Sequence, residues 1–159
     1  MSESLSESAQ KVQNALIRFG VTCKVVELPG STRTAQEAAQ AVGCRVEQIA
    51  KSLVFQGKTT SRPILVVASG ANRVNEKKLR DLLSEPVKKA DADFVREHTG
   101  FAIGGVPPAG LSKPMDIFLD EDLFKYEDIW AAAGTPHAVF KLTAQDLLNI
   151  TRGKVVKIT

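Results

Sequence analysis

The residues best suited to chemistry in this chain are one lysine and one loop. Lys51 and Ser52 interrupt the apolar run Ile49-Ala50-Lys51-Ser52-Leu53-Val54-Phe55. A lysine there either snorkels, with its stem packed and its ammonium in solvent, or points into a pocket and fixes an anionic or carbonyl group. Ser52 is then a pocket hydroxyl or an ordinary strand serine. The loop is Gly100-Phe101-Ala102-Ile103-Gly104-Gly105-Val106-Pro107-Pro108-Ala109-Gly110. Pro107 and Pro108 carry no N–H, and Gly104 and Gly105 permit positive φ and close backbone approach. Such a segment turns the chain or lines a small-molecule site with free N–H groups. His137, after Gly134-Thr135-Pro136, is a ligand contact, a general base or a surface residue. Asn72 and Arg73 flank a glycine turn and are phosphate contacts or solvated loop polars.

Other chemistries lack their residues. There is no dinucleotide fingerprint, P-loop, zincin motif or nucleophile elbow. Two histidines, His98 and His137, exclude a multi-histidine metal site. Cys23 and Cys44 lack metal-ligand spacing and read as small core residues, with a thiol hydrolase as a rival use. Lys77, Lys78, Arg80, Lys88 and Lys89 form the densest basic stretch, a solvated face or an RNA-facing patch.

The elements that must position these groups follow from local pattern. Residues 5–19 read as an amphipathic helix capped by Ser4 and stopped by Gly20. Cys23–Leu28 reads as a strand. Thr34-Ala35-Gln36-Glu37 has the form of a capping box opening a helix through Val42, stopped by Gly43, with a further turn at Val46–Ile49. Lys51–Phe55 and Ile64–Ala68 form an antiparallel hairpin, the second strand apolar throughout and so covered on both faces. Asn75 caps a helix over Glu76–Leu83. Pro86–Ala90 is a short edge strand, and Asp91 or Asp93 caps a helix through His98. Met115–Leu119 is a strand and Glu121–Phe124 a helical turn. Ile129–Ala133 and Ala138–Leu142 make a second hairpin. Thr143 starts a helix through Ile150, ended by Gly153, before a last strand, Val155–Ile158. Short helices in irregular order among many strands predict an α+β fold with a mixed, strongly curved sheet.

At 159 residues, 43% hydrophobic and 25% charged, the chain suits one domain, residues 1–159, with residues 1–20 as an N-terminal helix. A net charge of +3 and a pI of about 8.9 fall short of a dedicated DNA binder. No apolar run reaches membrane-span length. The first residues lack the pattern of a secretory signal, so cytoplasmic residence is expected.

Together these features resemble the YbaK/prolyl-tRNA-synthetase-associated editing domain family, the aminoacyl-tRNA deacylases. The similarity runs from about Thr34 to Leu148. It is carried by Thr34-x-x-Glu37-Ala38-Ala39, Gln48–Phe55, Gly70–Asn75 with Lys77-Lys78-Leu79, the Gly-x-x-x-Pro loop at Gly104–Pro108, and Ala133-Gly134-Thr135-Pro136-His137. Asn75 stands where many relatives carry an acid. The resemblance implies a partly barrel-like sheet flanked by short helices, with no metal or organic cofactor. It implies hydrolysis of the ester of a mischarged aminoacyl-tRNA, with tRNA-Pro bearing Ala, Ser, Thr or Cys as the substrate. The expected partners are the tRNA 3′ acceptor end and prolyl-tRNA synthetase, with neither DNA nor membrane. It implies catalytic roles for Lys51, Gly104, Gly105 and His137, and substrate contacts from Ser52, Asn72, Arg73, Val106, Pro107 and Pro108. Lys51 would hold the terminal phosphate or ester region, N–H groups near Gly104–Val106 would face the oxyanion, and His137 would shape the amino-acid pocket. The alternative is a non-catalytic module that binds a tRNA end or a synthetase.

Overall fold

The computed structural model describes residues 5–159. In chain order its elements are α1 (Glu7–Arg18), β1 (Val25–Glu27), α2 (Ala35–Val42), a 3-10 turn (Val46–Gln48), β2 (Ile49–Gly57), β3 (Pro63–Ser69), α3 (Glu76–Leu83) and β4 (Val87–Lys89). There follow α4 (Ala92–Thr99), β5 (Asp116–Asp120), a second 3-10 turn (Glu121–Lys125), β6 (Ile129–Ala132), β7 (Ala138–Leu142), α5 (Ala144–Thr151) and β8 (Lys154–Val156). No helix among the described residues is long and apolar enough to cross a membrane.

The helices begin where short side chains close a local hydrogen bond. Thr34 accepts from the Glu37 N–H at 3.1 Å, Asn75 from Lys77 at 3.0 Å, and Asp91 from Phe94 at 2.9 Å. Thr143 and Asp146 exchange both bonds of a capping box. Each such cap contributes about 1 kcal/mol. The expected cap of α1, Ser4, lies outside the described residues; Ser6 caps the helix through the Ala9 N–H. At the end of α5 the left-handed residue is Arg152, φ 51°, and not Gly153. Gly153 is needed for a different reason: a Cβ there would lie 2.9 Å from Ile117 Cγ2 on the neighbouring β5.

The eight strands form one mixed sheet in the order β1-β7-β6-β2-β3-β5-β8, with β4 paired to the far end of β2. The β2–β3, β6–β7, β1–β7 and β2–β4 pairs are antiparallel, and β2–β6, β3–β5 and β5–β8 are parallel. The sheet is curled but does not close, in keeping with the expected mixed, curved α+β architecture. β3 is its axis. Leu65 and Val67 enter the larger core with Leu16, Val95, Phe140 and Leu147, while Ile64, Val66 and Ala68 enter a second core with Leu79, Phe118 and Ile158. A strand covered on both faces has no polar side, which is why that stretch is apolar throughout.

The β2–β3 turn is fastened by Glu85, only 7% exposed. Its carboxylate accepts from the Thr59 and Thr60 N–H groups at 3.0 and 3.1 Å and from the Thr60 hydroxyl at 2.8 Å, and pairs with Arg62 at 3.1 Å. These contacts, led by the Thr60 N–H, hold the Glu85 pKa below its ordinary value of 4.5. A lowered carboxylate pKa stabilises the fold above the unfolded value, and that contribution is lost as pH falls through the folded one. Glu85→Gln is therefore expected to lower the urea midpoint at neutral pH. The gap from wild type should narrow as pH drops below 4.5; a gap independent of pH would contradict the assignment.

Candidate functional site

The curl of the sheet leaves one edge of β2 open in its middle. The Ile49 carbonyl accepts from Gly70 at 2.7 Å, and the Gly57 N–H donates to Arg62 at 3.0 Å. Odd-numbered residues of β2 thus turn their main-chain groups toward β3, and even-numbered ones toward the opposite edge. On that edge β6 pairs only with Ile49 and Ala50, β4 takes over at Phe55, and Ala90 bonds the Val54 carbonyl. Ser52, opposite Val67 on β3, falls in the gap, with no strand beside it on that edge among the described residues.

A cavity of about 330 Å³ occupies this gap. Lys51, Ser52 and Leu53 line it from β2, Gly104 and Val106 from the glycine-proline loop, and Thr32 and Arg33 from the segment before α2. A smaller recess of about 170 Å³ shares Ser52, Gly104 and Val106 and continues to Val54, Phe55, Val95 and Lys89. The hydroxyls of Thr32 and Ser52 are buried and lack hydrogen-bond partners among the described residues. Buried polar atoms are normally paired, so two orphans on one cavity mark places for ligand or water.

The loop is held to the second hairpin. The Gly105 carbonyl accepts from the Gly134 N–H at 2.8 Å, and a Cβ on Gly105 would lie 2.9 Å from the backbone of Gly134 and Thr135. Gly104 takes φ +91°, which aims the loop past the Arg33 side chain. The Gly105 N–H is already bonded to Ala102 O at 3.1 Å. On either side of it, the Gly104 and Val106 N–H groups have no acceptor among the described residues.

The electrostatics favour an anion. Burial pushes the Lys51 pKa below its ordinary value, the nearby Lys89 charge adds to that effect, and Asp120 opposes it. Arg33 and Lys89 are further cations on the two linked spaces, and no Asp, Glu, His or Cys lines either one. The arrangement can grip a negatively charged or carbonyl-bearing molecule, but its walls supply no carboxylate, imidazole or thiol base.

Of the residues singled out from the sequence, Lys51, Ser52, Gly104 and Val106 meet on the cavity. Gly105, Pro107 and Pro108 are buried in the loop's support and are not among the residues lining it. His137 is exposed, its Nδ1 2.9 Å from the Gly30 carbonyl, and also lies outside the lining. Asn72 donates to Asp120 at 2.8 Å and to Asp122 at 2.7 Å, which ties the turn after β3 to β5. Arg73 is exposed and not on the cavity. Neither cysteine lines it, and burial raises both thiol pKa values, with Asp146 adding to the effect at Cys23. Sequence reasoning missed Thr32, Arg33 and Trp130. The available signals were an arginine just before a helix cap and a lone tryptophan in a strand.

Comparison with known proteins follows the same lines. The family model of the aminoacyl-tRNA editing domain matches residues 30–150. An uncharacterized protein of Bacillus subtilis (strain 168), YwhH, is 33% identical over 148 residues, 93% of this chain and 94% of its own length. The proline–tRNA ligase of Bacillus licheniformis is 35% identical over 91 residues, 57% of this chain but 16% of the ligase. A solved structure described as a candidate trans-editing enzyme for prolyl tRNA synthetase has a TM-score of 0.92 at 51% identity, covering 98% of this chain and 99% of that one.

Proposed function

Because the chain belongs to the aminoacyl-tRNA editing domain family, we propose that it is a trans-acting deacylase that cleaves the ester of mischarged tRNA-Pro. The observation that carries the reading is that Lys51 and the Gly104–Val106 bend wall one cavity with no acidic residue in its lining. Water attacks the ester carbonyl carbon, and the bond to the ribose oxygen breaks. The ribose oxygen takes a proton, and a free amino acid departs. An aminoacyl ester is already activated, so positioning and charge stabilisation suffice without a protein nucleophile. Lys51 holds the terminal phosphate or the ester, and the Gly104 and Val106 N–H groups face the developing oxyanion. With no carboxylate, imidazole or thiol on the walls, a ribose hydroxyl of the substrate assists the water.

The amino-acid side chain enters the recess of about 170 Å³, whose walls at Val54, Phe55, Val95 and Val106 suit a small residue. His137, whose ring is bonded to Gly30 and lies off the lining, is not given the selection of alanine in this proposal. The choice among Ala, Ser, Thr and Cys then rests on the recess and on the Ser52 hydroxyl. Assignment to tRNA-Pro, and docking on the synthetase, are supported by the proline–tRNA ligase relatives.

Incubation with purified tRNA-Pro carrying Ala, Ser, Thr, Cys or Pro tests the reading. Free amino acid should be released from at least one of the small mischarged forms and not from the cognate one. Protection of every ester against spontaneous hydrolysis would identify a binder and refute the deacylase.

A further inference from the structure

Beside the cavity, on the same face of the sheet, lies a more open groove of about 430 Å³. Trp130 is common to both spaces. The strand registers give the layout. Trp130 stands opposite Lys141 on β7 and beside Ile49 on β2. Val139 stands opposite Ala132 on one side and Val26 on the other. Carrying the β1–β7 register one pair further sets Lys24 beside Lys141, and on β2 Lys51 follows Ile49 by two residues on the same face, past the end of the β2–β6 pairing. Two adjacent rows result: Lys24, Lys141, Trp130 and Ile49, then Val26, Val139 and Ala132, with Lys51 at the level of the second row on β2. They are two residues apart along the strands, about 7 Å.

Trp130 is half-buried, resting on the Ala38–Ala39–Ile49 cluster. Lys24 and Lys141 are exposed, and neither has an ion-pair partner among the described residues. The groove also holds Asp128 and Asp146. The Asp146 carboxylate is engaged in the α5 cap and meets the Cys23 thiol at 3.9 Å. An indole with lysines beside it, one row from the proposed ester-binding lysine, has the makings of a single-strand nucleic-acid platform.

We infer that this groove seats the single-stranded 3′ end of the tRNA, with the base next to the terminal adenosine stacked on Trp130 and the preceding phosphates held by Lys141 and Lys24. The inference rests on the deacylase reading and adds the path by which the substrate enters. Stacking on an aromatic ring is indifferent to base identity, so the groove would bind the shared end of tRNAs and leave discrimination among them to other contacts.

Trp130 is the sole tryptophan of the chain, so its emission reports on the groove and the cavity wall it shares. The full-length protein is titrated with a fluorescein-labelled RNA hairpin bearing a short single-stranded 3′ overhang, and with the same hairpin ended blunt. The overhang should quench the indole along the curve traced by label anisotropy, and the blunt hairpin should not. Lys141→Ala, at an exposed position, should weaken binding and lower the slope of log K against log salt by about 0.7. Overhang binding without a change in indole emission, or an unaltered salt slope in Lys141→Ala, overturns the inference. If deacylation proceeds normally in that case, the functional reading stands without it. Quenching with no amino acid released from any charged tRNA would count against hydrolysis alone.

Discussion

Lys51→Met is expected to lower deacylation of mischarged tRNA by about 10²–10³-fold while the protein melts at the same or a higher temperature. The first half follows from the cavity, whose walls offer Lys51 and Arg33 as charges and no carboxylate, imidazole or thiol. Removing the Lys51 cation leaves a developing negative charge to Arg33 and main-chain donors. The second half follows from the direction of the Lys51 pKa, which burial and Lys89 lower relative to its ordinary value. A lysine with a lowered folded pKa opposes folding while it is charged, and that opposition fades as pH rises from the folded value toward 10.5. Methionine keeps the stem volume and removes the charge. Any gain in melting temperature should thus be largest near neutral pH. Single-turnover deacylation beside thermal denaturation separates the two effects. Wild-type rates in Lys51→Met would overturn the assignment of the lysine, and a large fall in melting temperature would mark it as structural.

The second large effect is expected at Gly105. A Cβ there meets three backbone atoms of Gly134 and Thr135 at 2.9 Å, and none of them can rotate away. Gly105→Ala should push the loop off the β6–β7 hairpin and stretch the Gly105–Gly134 bond of 2.8 Å. A displacement of about 1 Å at a positioning loop costs on the order of 10²-fold in rate, with about 1–3 kcal/mol of lost stability from overpacking. Gly104→Ala is the contrast. Its Cβ would meet Arg33 Cγ at 2.8 Å, and that side chain can move; the remaining cost is the φ of +91°, about 1–2 kcal/mol for a non-glycine residue. Comparing kcat/KM of the two variants decides whether the tether to the hairpin or the left-handed turn matters more. Equal and mild effects would mean that the loop is not held as described.

These expectations draw unequally on sequence and structure. The caps at Thr34, Asn75, Asp91 and Thr143 were readable because each bond closes within two or three residues. β3 was readable because burial on both faces demands an unbroken apolar run. The second hairpin was readable from its turn residues. The end of α5 was not. Arg152 takes the left-handed turn, and the glycine beside it serves the close approach to β5 instead. The setting of Asn72 was not legible for a related cause: its amide is used by two carboxylates far along the chain, which no local pattern reports.

The amino-acid order alone determined the elements, the two-sided central strand and the reactive groups available, since all of these depend on hydrogen bonds and patterning over a few residues. Only the tertiary structure decided which groups meet. A parallel pairing that stops at Ala50 and an antiparallel one that begins at Phe55 leave the outer edge of β2 open at Ser52 between them. That gap is where Lys51, Arg33 and the Gly104–Val106 bend come together, while His137 is turned away to bond Gly30. Where a ladder ends depends on how three strands from distant parts of the chain register against one another, a global balance of packing that no single stretch encodes.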